Sequence, residues 1–268
     1  MPIRSDVGPP RGVLTRGDAA DTRFDHLRRA PSPDLREHVA HLWMVRWDLS
    51  GQAPVTVATL PHPTVHITVE ARRAQVGGVK RGRFTRRLSG RGRVFGIKFR
   101  PAAFQSLVGG SMARLTDRAL PIGAIFGTEG ERFARALRGE PDEERCIVLC
   151  EAFIRPRLRP LDAMAQAVRD LVERLAVDRE LLRAEQAAAL LDVDLRQLQR
   201  LFRNYVGVSP KWVIQRYRLH EAAALIDAGQ AGTLASLAQS LGYFDQAHFI
   251  RDFKAAVGHA PGARSARR

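Results

Sequence analysis

Two hydrophobic periods divide the chain. Between Phe24 and Arg100 the apolar positions recur at every second residue: Val65, Ile67 and Val69 alternate with His66 and Thr68, and Phe95, Ile97 and Phe99 alternate with Gly96 and Lys98. A period of two puts alternate side chains on opposite faces of a strand. The stretch His41–Leu49, carrying Trp43 and Trp47, is strand-compatible too, and Gly77-Gly78, Gly82 and Gly90-Arg91-Gly92 supply turns between the runs. A sheet or small barrel is expected. After Pro101 the period lengthens. Pro101–Val108 predicts a short helix stopped by Gly109-Gly110, and Glu131–Leu137 and Glu143–Phe153 predict two more. His38 and His41 also stand at a helical spacing. The heptapeptide Ile154-Arg155-Pro156-Arg157-Leu158-Arg159-Pro160 then breaks the pattern with two prolines, which marks a boundary. Beyond it Met164, Val168, Leu171, Val172 and Leu175 form one apolar stripe at a spacing of 3.6. The expected fold class is α+β: a flexible polar tail over 1–21, a sheet-rich domain with flanking helices over 22–158, and an all-α domain over 161–268.

The helical third contains a repeat. Over Ala184–Pro210, nine of 27 positions are identical to those 51 residues later: Ala184/Ala235, Ala187/Ala238, Leu190/Leu241, Asp194/Asp245, Arg200/Arg251, Phe202/Phe253, Val206/Val257, Gly207/Gly258 and Pro210/Pro261. Chance pairing at average composition gives roughly two. Each unit reads as a short helix (Arg183–Leu190; Leu234–Ser240), a tight turn, an acidic N-cap (Asp194; Asp245), and a second helix ended by a glycine suited to left-handed backbone. A long helix joins the units. Ser209-Pro210 starts it, Val213, Tyr217, Ala224 and Leu225 form its apolar face, and Gly229 stops it.

In the first unit Leu198, Leu201, Phe202 and Tyr205 make the inward face, leaving Arg196, Gln199, Arg200 and Arg203 outward. In the second, Phe249, Ile250 and Phe253 are inward, and Gln246, His248, Arg251 and Lys254 outward. Arginine reaches guanine O6 and N7 together, and glutamine reaches adenine N6 and N7, so these outward sets suit the major groove. Two such helices in one chain can enter successive grooves about 34 Å apart without a dimer.

The segments Leu198–Pro210 (LQRLFRNYVGVSP) and Leu241–Lys254 (LGYFDQAHFIRDFK) closely resemble the DNA-binding domain of the AraC/XylS-type regulators, a likeness covering about 161–262. It implies reading helices near 195–205 and 245–256. It maps base or phosphate contacts onto Arg196, Gln199, Arg200, Gln246, Ala247 and Arg251, with Ala247 limited to apolar contact such as a thymine methyl. After Gly258 the family's usual Ser-Pro and aromatic give way to His259-Ala260-Pro261-Gly262-Ala263-Arg264, so a loose tail of Arg264, Arg267 and Arg268 touching phosphates is expected in place of a cap helix. Upstream, Pro31–Leu35, Trp43–Leu49 and Gly92–Pro101 resemble the sheet-rich domain preceding some AraC-type regulators. This implies an effector-sensing or homodimerising role for that domain.

Charge modifies the picture. The 268 residues hold 43 Lys plus Arg against 28 Asp plus Glu, a net +15 that favours polyanionic partners. Yet residues 72–100 hold eleven basic side chains and no acid, whereas 180–268 hold twelve basic against eight acidic. The basic stretch is read either as a solvated strand face or as an anion-contacting surface. No apolar run is long enough to span a membrane and no secretory leader is visible, so a cytoplasmic, nucleoid-associated protein is expected. No cofactor is implied. Cys146 and Cys150, four apart on an apolar helix, read as buried inert thiols. His62 and His66 on one strand face would stand ~13 Å apart, too far for one ion. The expected function is sequence-specific binding of double-stranded DNA by a non-enzymatic bacterial transcriptional regulator. The alternative is a small-molecule-binding or metal-dependent barrel enzyme fused to a DNA-binding module.

Overall fold

The computed structural model describes residues 3–8, 12–14 and 23–262. Strands β1 (Ile3–Ser5), β2 (Phe24–Arg29), β3 (Val39–Leu49), β4 (Val55–Thr59), β5 (His66–Glu70), β6 (Ala74–Gly77), β7 (Phe84–Leu88), β8 (Gly90–Phe99) and β9 (Ala119–Pro121) form two sheets. A seven-stranded sheet runs β1-β2-β3-β8-β5-β6-β9, and β4 pairs with β7 separately. The β1–β2 pair is parallel; the other pairs are antiparallel. Ile3–Ser5 therefore belongs to the sheet and not to a flexible tail, and Leu14 N donates to Ala58 O at 2.9 Å. Residues 6–8 and 12–14 are described as well; the rest of the expected tail lies outside the described residues, as do Arg264, Arg267 and Arg268.

The period of two is realised as read. Leu42, Met44, Ile67, Val69, Phe95 and Ile97 share one buried face of the large sheet. Helix α1 (Gln105–Val108) is only one turn long, shorter than the pattern predicts, because Pro101–Phe104 are spent in turns. Helix α2 (Ile122–Gly139), broken at Gly127 where φ is 58°, and α3 (Glu143–Ile154), capped by Asp142, cover that face with Phe133, Leu137, Cys146, Cys150 and Phe153. Both cysteines are free and buried, and burial raises both thiols. On the opposite face Trp43 and Trp47 stand across from Gly96 and Gly92. A Cβ at Gly96 would fall 2.1 Å from the Trp43 indole, and one at Gly92 2.2 Å from that of Trp47, so these strand glycines are needed for space.

The histidines are placed otherwise than the spacing suggests. Strand β5 begins at His66, so His62 lies in the preceding connection, with its ring stacked on His220 at 4.2 Å. His38 and His41 are not on a helix: His41 lies in β3, and His38 precedes that strand, its Nε2 lying 2.8 Å from Arg159 O. Among the described residues no three His, Cys, Asp or Glu side chains gather as a metal-binding group.

After Pro160 come α4 (Ala163–Leu175), α5 (Ala184–Ala189), α6 (Leu195–Tyr205), α7 (Pro210–Asp227), α8 (Leu234–Ser240) and α9 (Gln246–Val257). In the segment Ile154–Pro160 the Arg157 guanidinium lies 4.0 Å from the centre of the Phe153 ring. Met164 is partly exposed, and Ala165 completes the α4 stripe in its place. The first half of α7 gives Val213, Ile214 and Tyr217 to one core with α4, α5 and α6. Its second half gives Leu219, Ala222, Ala223 and Ile226 to another with α8 and α9. Ala224 is exposed and Leu225 half-buried, because the helix is covered from several sides and its buried face is broader than one stripe. The sheet part supplies some of that cover: Val79 and Ala102 enter the first core and Leu60 the second.

Candidate nucleic-acid interface

Helices α6 and α9 are each fixed at the start by a carboxylate. Asp194 accepts from Gln197 N at 2.7 Å while Gln197 Oε1 accepts from Asp194 N at 3.2 Å, a reciprocal box at the head of α6. Asp245 accepts from His248 N at 2.7 Å at the head of α9. Leu198 and Phe202 in α6, and Phe249 and Phe253 in α9, are fully buried. Both helices end next to a glycine in left-handed backbone, Gly207 and Gly258, each at φ 98°. Leu201, Tyr205 and Ile250, expected inward, are half-buried.

With these residues buried, Arg196, Gln199, Arg200 and Arg203 are exposed on α6, and Gln246, Ala247, Arg251 and Lys254 on α9. His248 is less available. Its Nε2 lies 3.5 Å from Asp252 and its ring 5.2 Å from that of Tyr243. Among the described residues, none of Arg196, Arg200, Arg203, Arg251 and Lys254 forms an ion pair with a carboxylate. The strongly basic stretch is arranged differently. Arg81 pairs with Asp117 at 2.6 Å, Arg91 with Asp48 at 2.7 Å, Arg86 with Glu70, and Arg100 with Glu173 at 2.7 Å. Arg93 donates to the carbonyls of Leu137 and Arg138. Carboxylates distant in sequence thus pair with four of the eleven basic side chains of 72–100, while the exposed Arg and Lys of α6 and α9 have no such partner among the described residues.

Two arginines of α7 are buried instead of solvated. Arg218 donates to Leu175 O at 2.9 Å and pairs with Glu221 at 2.8 Å, tying the joining helix to the end of α4. Arg216 donates to Arg81 O in the sheet part and packs on Trp212; burial pulls its guanidinium down to about 10.

The repeat is real, but its register shifts within each unit. The N-cap positions of α5 and α8, Arg183 and Thr233, are fifty residues apart. So are the buried pairs Ala187/Leu237 and Ala188/Ala238, and the left-handed residues Asp192 and Gly242. The caps Asp194 and Asp245, the buried Phe202 and Phe253, and the left-handed Gly207 and Gly258 are 51 apart. The second turn is one residue longer, so the identities Ala184/Ala235, Ala187/Ala238 and Leu190/Leu241 do not join equivalent positions. The inserted residue is Phe244, 98% exposed. Sequence reasoning passed over it because a single constant offset hides an insertion.

Comparison with known proteins agrees with the geometry. Residues 187–267 match the family model described as a helix-turn-helix domain, and residues 27–121 match one described as a domain of unknown function, DUF6597. Residues 187–267, with the end of α5 and all of α6 to α9, thus fit a helix-turn-helix domain, and residues 27–121, which hold most of the sheet, fit the second model. An uncharacterized HTH-type transcriptional regulator of Haemophilus influenzae is 36% identical over 70 residues, which is 26% of this chain and 23% of that protein. The uncharacterized HTH-type transcriptional regulator YidL of Escherichia coli is 36% identical over 76 residues, 28% of this chain and 25% of that protein. The chain thus matches about a quarter of the length of these curated relatives. Among solved structures, the C-terminal domain of AraT, a response regulator from Geobacillus stearothermophilus, is similar at 24% identity, covering 40% of this chain and 89% of that one with a TM-score of 0.36.

Proposed function

We propose that this protein is a sequence-specific regulator of transcription that reads two successive major grooves with α6 and α9 and acts by binding, not by catalysis. The carrying observation is the pair of matched, capped helices on which Arg196, Arg200, Arg203, Arg251 and Lys254 are exposed and, among the described residues, form no ion pair with a carboxylate. On this reading Arg196, Gln199, Arg200, Gln246, Ala247 and Arg251 face base edges, and Arg203 and Lys254 face phosphates, with His248 near the rim. Phosphate contacts supply most of the affinity and make it fall with salt. Residues 161–268 are the reading part, and 22–158 the part that senses an effector or pairs two copies. Among the described residues no helix is long and apolar enough to cross a membrane, in keeping with a regulator working at cytoplasmic DNA.

Selection from a random duplex library by the full chain, at near-physiological salt, tests this. The expected result is one enriched site with two short elements about ten base pairs apart. Recovery of no preferred sequence would reduce the basic charge to nonspecific attraction.

A further inference from the structure

The extra residue in the second turn stands where the second reading helix begins. In the first unit the turn runs from the left-handed Asp192 through Val193 to the cap Asp194; in the second it runs from Gly242 through Tyr243 and Phe244 to Asp245. Val193 N donates to Ala188 O at 3.2 Å, and Tyr243 N to Ala238 O at 3.0 Å, so Tyr243 is the structural counterpart of Val193. Both neighbours of Phe244 are fixed. The Tyr243 ring packs 5.4 Å from that of Phe249, and the Asp245 carboxylate is held by His248 N. Phe244 is left to point outward, at 98% exposure, where the next most exposed large apolar side chain among the described residues is Val177 at 70%. A phenyl ring in water forfeits the gain of burial, and nothing in the described chain covers it.

Its surroundings name the partner. Gln246 and Ala247, the first two residues of α9, are exposed beside it, and a recognition helix meets base edges with its N-terminal residues. In the major groove the apolar feature offered by a base pair is the thymine C5-methyl group, which phenylalanine and alanine side chains contact. Resting on the proposed DNA reading, we infer that Phe244 is a specificity-determining residue that packs against a thymine methyl at the edge of the element read by α9. With Ala247 it gives the second head an apolar end, where the first head offers Arg196 at the position equivalent to Ala247. The two elements of the site then differ in kind, a guanine-bearing one under α6 and a thymine-bearing one under α9, and the protein sits on its site in one orientation.

The test uses the full chain and the duplex recovered by selection. Affinity is measured for wild type and Phe244→Ala, on that duplex and on versions with single thymines of the α9 element replaced by uracil, which lacks only the methyl. Wild type is expected to lose about fourfold at one such position, the value of one buried methyl group. Phe244→Ala should bind the thymine duplex about tenfold more weakly, be indifferent to the methyl, and melt at the wild-type temperature because the ring packs on nothing. Phe244→Leu should recover most of the methyl preference. If a sequence is recovered but Phe244→Ala binds it as wild type does, or still prefers thymine undiminished, this inference falls and the DNA reading stands. If selection recovers no sequence, both fall together.

Discussion

Thr116 donates a hydrogen bond of 2.6 Å to the carbonyl of Gly207, across 91 residues of sequence. Gly207 follows the first reading helix. Beside it Ser111 Oγ donates to Arg203 O at 3.1 Å. The sheet part holds the second reading helix at the equivalent point, where Arg83 donates to Val257 O at 3.0 Å just before Gly258. Both grips fall on the C-terminal ends of α6 and α9, opposite the ends proposed to read DNA. A change in the sheet part can therefore reach the attitude of both reading helices without obstructing either.

The grips should be separable. Thr116→Val removes one donor from a half-buried carbonyl, a loss of about 1 kcal/mol. Amide hydrogen exchange should quicken around Val206–Ser209 and stay unchanged around Val257. Arg83→Ala should give the converse pattern. Equal effects at both ends would show that the two contacts do not act locally.

The two equivalent glycines should differ in tolerance. Both have φ 98°, so alanine strains either backbone by about 1 kcal/mol. A Cβ at Gly207 would also lie 2.8 Å from Thr116 Oγ1 and 2.9 Å from Met112 O, whereas at Gly258 the nearest atoms are the guanidinium end of Arg83, which can swing away. Gly207→Ala is expected to lower stability in urea by at least about 1 kcal/mol more than Gly258→Ala.

Arg200→Ala should cost about 1–3 kcal/mol on the selected site and distinctly less on random duplex. Arg200 is exposed, so its removal should leave the unfolding midpoint within error. Equal losses on both duplexes would make it a phosphate contact.

Stability should fall as the pH is lowered from 7 to 5. His26 is buried beside Arg28, and burial foremost holds its pKa at about 4; burial and the neighbouring Lys98 and Arg28 pull His41 lower still. Between the ordinary value of 6.5 and these depressed values the unfolded chain binds protons that the folded chain does not, so acid favours unfolding. Each histidine contributes about 2 kcal/mol of that loss by pH 5. Urea titrations at the two pH values check it, and His26→Gln should remove its share of the difference.

Much of the helical part was legible because its rules are local. Asp194 and Asp245 cap helices within three residues, Ser209 and Pro210 start α7 within two, and the 3.6 period of Val168, Leu171, Val172 and Leu175 needs no partner to be read. Strands β5 and β8 were legible through alternation for the same reason. The breadth of the buried face of α7 was not, since the sheet part and two separate cores cover it.

The sequence by itself determined the two periods, the caps, the repeated helix pair and the outward side chains of the reading helices, all set by residues within a turn or two of one another. Only the tertiary structure decided which charges remain available, because Asp48, Glu70, Asp117 and Glu173 reach the basic stretch from other strands, loops and helices. It also decided that Phe244 is the inserted residue, and that Thr116 and Arg83 hold the ends of α6 and α9. Electrostatic neutralisation and packing depend on distance in space, and distance along the chain does not report it.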